Sequence, residues 1–191
     1  MMNIVSLLGS PRKNGNSAAL AQAFTDQAAR LGARVEVFKL NKLNFRGCQG
    51  CYKCKTGKER CAVADDLSQV LETLAAADLW VVASPIYFGQ VSGQMKCCLD
   101  RWFSFLKPDY MTNPQPCRLA PGKQSVWVIT QAGPENMYGE VFPHYTGFLK
   151  WYGFKQNHLL RATATGQAGA TDLSPEKIAE AKELARKLMT A

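Results

Sequence analysis

Among the 191 residues are seven cysteines, and the spacing of four of them is chemically suggestive. Cys48, Cys51, Cys54 and Cys61 form C-x2-C-x2-C-x6-C in a stretch that also holds Gly47, Gly50 and Gly57, which allow tight turns. Four thiolates so placed can ligate an iron–sulfur cluster or a tetrahedral zinc ion, or they can stay as reduced thiols or redox-active pairs. A second constellation, Gly9-Ser10-Pro11-Arg12-Lys13-Asn14-Gly15-Asn16-Ser17, lies between the apolar run Ile4 to Leu8 and a helical pattern from Ser17 to Leu31. A strand that ends in such a turn and opens into a helix presents unpartnered amides to a phosphate group. Ser10, Asn16 and Ser17 supply further donors, and Arg12 adds a fixed charge that grips two phosphate oxygens. A plain connection would need only Asn16 or Ser17 as a helix cap; the two glycines and Arg12 go beyond that need.

A third stretch, Ser84-Pro85-Ile86-Tyr87-Phe88-Gly89, follows the apolar run Leu79 to Ala83. Its two aromatic rings beside flexible backbone suit a flat, partly polar ring system, or else they pack between helices. Gln131 to Gly133 can add a further loop at the same edge. No nucleophile and base stand at catalytic spacing, and the isolated His144 and His158 read as surface or ring-edge packing. Asp100 and Arg101 read as a local ion pair that steadies a helix and has no catalytic role. Cys97 and Cys98 read as core or interface residues, and Cys117 has no ligand spacing.

The elements that must position these groups alternate. After the first helix, ended by Gly32, Arg34 to Lys39 alternates as a strand near a sheet edge does. Beyond the cysteine loop (Leu43 to Cys61), a helix from about Asp66 to Ala77 has Leu67, Val70, Leu71 and Leu74 on one face, with Asp65 and Asp66 at its positive end. Leu79 to Ala83 is a continuous apolar run, as in a strand covered on both faces. A helix from Val91 to Phe105, an irregular connection from Lys107 to Gly122, a strand from Val126 to Thr130 and a partly helical segment from Tyr138 to Trp151 follow. A weak strand from Gln156 to Arg161 precedes a helix capped by Ser174, with Pro175 at its first position and Ile178, Leu184 and Leu188 facing the core.

The turn G-S-P-R-K-N-G-N-S is neither the dinucleotide fingerprint nor the nucleotide-binding P-loop. It resembles the phosphate loop of the NADPH-dependent FMN reductases, a flavodoxin-like family. The cysteine run, the double aspartate after it and S-P-I-Y-F-G resemble the iron–sulfur flavoproteins within that family. The resemblance implies a three-layer α/β sandwich over residues 1–191, with a five-stranded parallel sheet of order 2-1-3-4-5 and a cysteine-rich loop at 44–61. In that order the first and third strands part at the ligand crevice, where the turn and the Ser84 loop would meet. Ser10, Arg12, Asn16 and Ser17 would hold the FMN phosphate, while Pro85, Ile86, Tyr87, Phe88 and Gly89 would line the ring. Cys48, Cys51, Cys54 and Cys61 would hold a 4Fe-4S cluster. The implied activity moves electrons from NAD(P)H through FMN to a quinone, metal ion, flavin or ferredoxin-like protein. The alternatives are an electron-transfer flavoprotein reduced by ferredoxin and a cysteine-based redox or zinc module without flavin. The family resemblance also implies a homodimer or homotetramer, in which Trp102, Phe103, Phe105, Trp151 and Tyr152 serve either the interface or the core.

Composition narrows the field. The chain has 23 Lys and Arg against 15 Asp and Glu, a net charge of +8, which suits anionic ligands such as flavin and nicotinamide phosphates. The basic residues are scattered without a nucleic-acid recognition motif. No apolar run is long enough to span a bilayer, and the N-terminal run lacks the flanks of a signal peptide. The odd cysteine count argues against a secreted disulfide framework and for the reducing cytoplasm.

Overall fold

The computed structural model describes residues 1–166 and 172–190. Strand and helix alternate: β1 (Asn3–Leu8), α1 (Asn16–Arg30), β2 (Arg34–Lys39), α2 (Leu67–Ala76), β3 (Leu79–Tyr87), β4 (Gln90–Val91), α3 (Gly93–Arg101), β5 (Gln124–Thr130), α4 (Val141–Leu149), β6 (Gln156–Ala162) and α5 (Pro175–Met189). Parallel strands run in the order β2-β1-β3-β5-β6, which is the expected 2-1-3-4-5 when the parallel strands alone are counted. Period-2 patterning sends alternate side chains to opposite faces. Val5, Leu7, Trp80, Val82, Trp127 and Ile129 join α2, α3 and α4 in one core. Ile4, Leu79, Val81, Ala83, Val126 and Val128 join α1 and α5 in the other. The half-exposed β2 lies at one edge, as its alternation suggests.

The structure departs from the expected elements in three places. A sixth, two-residue strand is added: β4 folds back antiparallel on β3, pairing Ile86 with Val91 and Tyr87 with Gln90. The Ser84 stretch is therefore strand as far as Tyr87. Because β1 ends opposite Ala83, Pro85 sits where β3 has lost that neighbour, and there a missing N–H is tolerated. The expected Val91 to Phe105 helix starts at Gly93 instead, since Ser92 accepts from the Met95 amide and caps it. It tightens into a 3₁₀ turn over Trp102–Phe105. Pro143 is tolerated because it lies in the first turn of α4, where its nitrogen needs no partner. Ser174 and Pro175 open α5 as anticipated. Among the described residues, no helix is long and apolar enough to cross a membrane.

Candidate functional site

The two polar loops meet at the C-terminal edge of the sheet and are held together by hydrogen bonds. Gly9 N donates to Ala83 O at 2.8 Å, across the β1–β3 junction. Ser92 Oγ donates to Gly9 O at 2.6 Å, and Ser92 N donates to Ser84 Oγ at 2.9 Å. One fully buried serine thus ties the turn after β1, the end of β3 and the start of α3. A Cβ on Gly9 would stand 2.8 Å from Ser92 Oγ and 2.9 Å from Met95 Cβ, so this close approach requires glycine. Sequence reasoning missed Ser92, although a serine just before the apolar positions Met95 and Cys98 is an N-cap signal.

At the phosphate turn, Gly15 occupies the cap position of α1 in extended conformation, and no side chain caps the helix. Asn16 and Ser17 already lie inside the helix and are buried, so neither serves as a mere cap. Ser10 Oγ accepts from Arg12 N at 3.2 Å and lies so near Gly15 that a Cβ there would come within 2.5 Å of it. The Asn16 side chain is engaged reciprocally with Asp172: its amide donates to the Asp172 carboxylate, and Asp172 N donates to its oxygen at 3.1 Å. No local sequence signal foretells that long-range pair. On the β2 side of the turn, Arg12, Lys13, Lys39 and Lys42 line a cavity of about 320 Å³.

The loops after β3 and β5 lie at the same edge of the sheet. Phe88 and Gly89 join β3 to β4 with φ of +48° and +81°, the signature of a primed hairpin turn. A bulky residue is rarely found in this backbone region, so Phe88 stores strain at the crevice. Tyr87 is exposed and Phe88 wholly so, at 107%. Neither ring packs between helices, whereas Pro85 and Ile86 are half-buried. Gln131, buried, donates to Pro134 O at 2.7 Å and Met137 O at 3.0 Å, and accepts from Arg161 at 2.8 Å. This folds the 131–138 loop toward the hairpin, with the Tyr138 ring 3.8 Å from the site a Gly89 Cβ would take.

The cysteine loop is pinned at its neck. Asp65 accepts from Arg46 N and Leu67 N, both at 3.1 Å, and Asp66 accepts from Asn44 N at 2.7 Å. Arg101 does not pair with Asp100 as expected; Asp100 bonds Lys96, while Arg101 is buried and bonds Asp65 at 2.9 Å. The helical spacing of Lys96 and Asp100 brings them together on the surface, whereas neighbouring residues such as Asp100 and Arg101 diverge around the helix. Lys55 Nζ donates to Phe103 O and Leu106 O, and Arg118 donates to Cys54 O at 3.2 Å. Cys48, Cys51, Cys54 and Cys61 all line one cavity of about 300 Å³, walled also by Arg101 and Phe103. Among the described residues, no three His, Cys, Asp or Glu side chains are gathered so as to hold a metal ion.

Cys98 is buried, which pushes its thiol up to about 12 despite opposing help from Trp102 and Arg101. Trp102, Phe105 and Tyr152 are buried in the core, Trp80 meeting Trp102 at 4.7 Å. Trp151 is exposed. His144 packs edge-on against Tyr145 and Phe148, as expected of an isolated ring. Burial holds the His158 pKa below its usual range, with Lys187 adding to the effect.

Residues 2–123 match the family model of the NADPH-dependent FMN reductases. An iron-sulfur flavoprotein of Methanocaldococcus jannaschii is 34% identical over 100 residues, 52% of this chain and 51% of that protein. Another, from Methanosarcina thermophila, is 30% identical over 100 residues, 52% of each chain. The chain thus spans about half the length of the curated relatives it matches. The structure of an NAD(P)H:quinone oxidoreductase from Methanothermobacter marburgensis aligns with a TM-score of 0.77 at 18% identity, covering 98% of this chain and 96% of that one. An FMN-dependent NADH-azoreductase from Bacillus anthracis, in complex with FMN, aligns at 0.73 and 14% identity, covering 99% and 100%. Both structural likenesses establish the flavodoxin-like fold. The phosphate turn, the cysteine loop and the Ser84 stretch all fall within the matched span, and the chain belongs to the NADPH-dependent FMN reductase family.

Proposed function

We propose that this protein is an FMN-dependent oxidoreductase that takes electrons from NAD(P)H and delivers them to a small acceptor such as a quinone, or to a redox protein. The observation that carries this reading is the junction of the phosphate turn and the β3–β4 hairpin through Gly9, Ser84 and Ser92. The site fits FMN on two counts. The start of α1 has no side-chain cap, leaving its first amides for a phosphate. Gly15 and Ser10 meet so closely that any Cβ would fill the cradle. Ser10, Arg12 and Ser17 bind the phosphate, with Asn16 shaping the turn through Asp172. Pro85, Ile86, Tyr87, Phe88 and Gly89 border the ring, and the Gln131 loop faces them. Bound FMN supplies the chemistry, accepting a hydride from the nicotinamide and yielding electrons as a pair or singly. The residues' work is to bind, orient and shelter it, and none need be an acid or base.

The four-cysteine cavity suits an iron–sulfur cluster better than zinc. The sulfurs that ligate a cluster stand around its periphery, whereas zinc requires four donors about 2.3 Å from one centre. The C-x2-C-x2-C-x6-C spacing puts all four thiols on the wall of one cavity of about 300 Å³, which offers room for such a group. The names of the relatives agree with it. Anaerobic purification, an absorption spectrum, flavin and iron counts and NAD(P)H oxidation with a quinone or dye test the whole reading. Flavin bands with an iron–sulfur shoulder and steady NAD(P)H oxidation are expected. Protein that takes up no FMN on reconstitution would refute it, and flavin without iron would remove the cluster alone.

A further inference from the structure

We propose that Arg101 is the positioning residue of the four-cysteine cavity: it staples both ends of the cysteine loop and presents its Nε–H to the anionic, sulfur-rich group held there. The donor role rests on the cluster reading above; the staple does not.

The guanidinium of Arg101 is a charge out of place. Arginine is almost never fully buried unless paired, and the Arg101 side chain has no exposed surface. One guanidinium nitrogen, Nη1, donates to Arg46 O at 2.9 Å on the entering side of the loop and to both Asp65 oxygens. Nη2 donates to Val63 O at 2.9 Å on the leaving side. A planar fork with donors in fixed directions is suited to joining two strands of backbone in this way, and an ammonium group is not. Burial works against the charge, and the Asp65 carboxylate, 2.9 Å from Nη1, offsets it.

The remaining donor supplies the second observation. Arg101 Nε is shut off from water and has no hydrogen-bond partner among the described residues. Buried donors are almost always satisfied, and this one belongs to a side chain that lines the cavity of Cys48, Cys51, Cys54 and Cys61. A cluster with four thiolate ligands carries negative charge that grows on reduction. A fixed cation and an N–H bond to sulfur favour the reduced state and raise its potential.

Two variants test this. Arg101→Lys keeps the charge and loses the fork and Nε–H. The double variant R101Q/D65N removes both charges together, so that neither is left buried alone if the single variant folds poorly. In iron-free protein, trypsin should cut after Lys53, Lys55, Lys58 or Arg60 roughly tenfold faster in either variant, because the neck opens more often. In anaerobically purified protein, iron retention should weaken by roughly tenfold or more. The potential of the iron–sulfur signal should fall in both variants, since each loses the Nε–H, with FMN affinity unchanged in both. Wild-type cleavage rates in both variants overturn the staple. An unchanged potential in variants that hold iron overturns the donor role, as does wild-type protein that takes up no iron, in which case cleavage alone judges the staple.

Discussion

Replacing Ser92 by alanine should do more harm than its small side chain suggests. Ser92 Oγ accepts from Met95 N at 3.3 Å and donates to Gly9 O at 2.6 Å, in a position with no solvent exposure. Loss of the cap costs about 1 kcal/mol, and leaving the Gly9 carbonyl short of its partner costs about 2 kcal/mol more. A loss near 3 kcal/mol lowers Tm by roughly 6–12 °C for a chain of this size. The backbone bond from Ser92 N to Ser84 Oγ survives, so the fold should persist while the phosphate turn and the ring loop come apart. Thermal unfolding of flavin-free protein reads the first effect, and FMN titration by fluorescence quenching reads the second as a raised Kd. Thr73→Ala is the control, since Thr73 Oγ1 bonds only its own helix at Gln69 O on an exposed face, and a surface change there costs within about 0.5 kcal/mol. A Tm for Ser92→Ala equal to that of the control would refute the claim that this serine joins the loops. A lowered Tm with unchanged FMN affinity would show that the junction supports the fold and not the ligand.

Gly15→Ala should weaken FMN binding by roughly tenfold or more with a small change in Tm, because its φ of −78° suits alanine and the new Cβ strikes only the Ser10 side chain, 2.5 Å from its Oγ and 3.2 Å from its Cβ; titration of both forms checks it, and full affinity would place the phosphate elsewhere. In iron-free native protein, alkylation followed by mass spectrometry should label the exposed Cys48 and Cys51 rapidly, and Cys98 only after unfolding, since its thiol is buried and stays protonated up to about pH 12. Asp65 sets an acid limit: burial opposes its charge, but Arg101 and the amides of Arg46 and Leu67 outweigh that and hold its carboxyl below the usual carboxylate range. Its folded pKa is depressed, so its contribution is complete above the unfolded value of about 3.9 and is lost as pH falls through the folded value. Urea midpoints at pH 6 and below pH 4 should therefore drop more in wild type than in Asp65→Asn, and parallel drops would contradict the pairing.

Much of this protein was legible in its sequence because the relevant physics is local. The alternating run Arg34 to Lys39, the continuous apolar run Leu79 to Ala83, the glycine stop at Gly32 and the Ser174-Pro175 helix start act over a few residues, and they alone imply alternating strands and helices. The phosphate turn, the cysteine spacing and the S-P-I-Y-F-G stretch are contiguous strings whose chemistry is written in their residue types. The backbone of Ser84 to Val91 was not legible, since a hairpin with Phe88 in a left-handed conformation goes against local preference and is upheld by its pairing with β4 and β5. Nor were the partners of Asn16, Ser92 and Arg101. Asp172, Gly9 and Asp65 lie far from them along the chain, and only the packed sheet and helices decide which polar groups, once buried, must satisfy one another. Arg101 looked like half of a surface pair because sequence shows its neighbours and not its burial. The chain's own letters determined which groups are present, and the tertiary structure decided which of them meet.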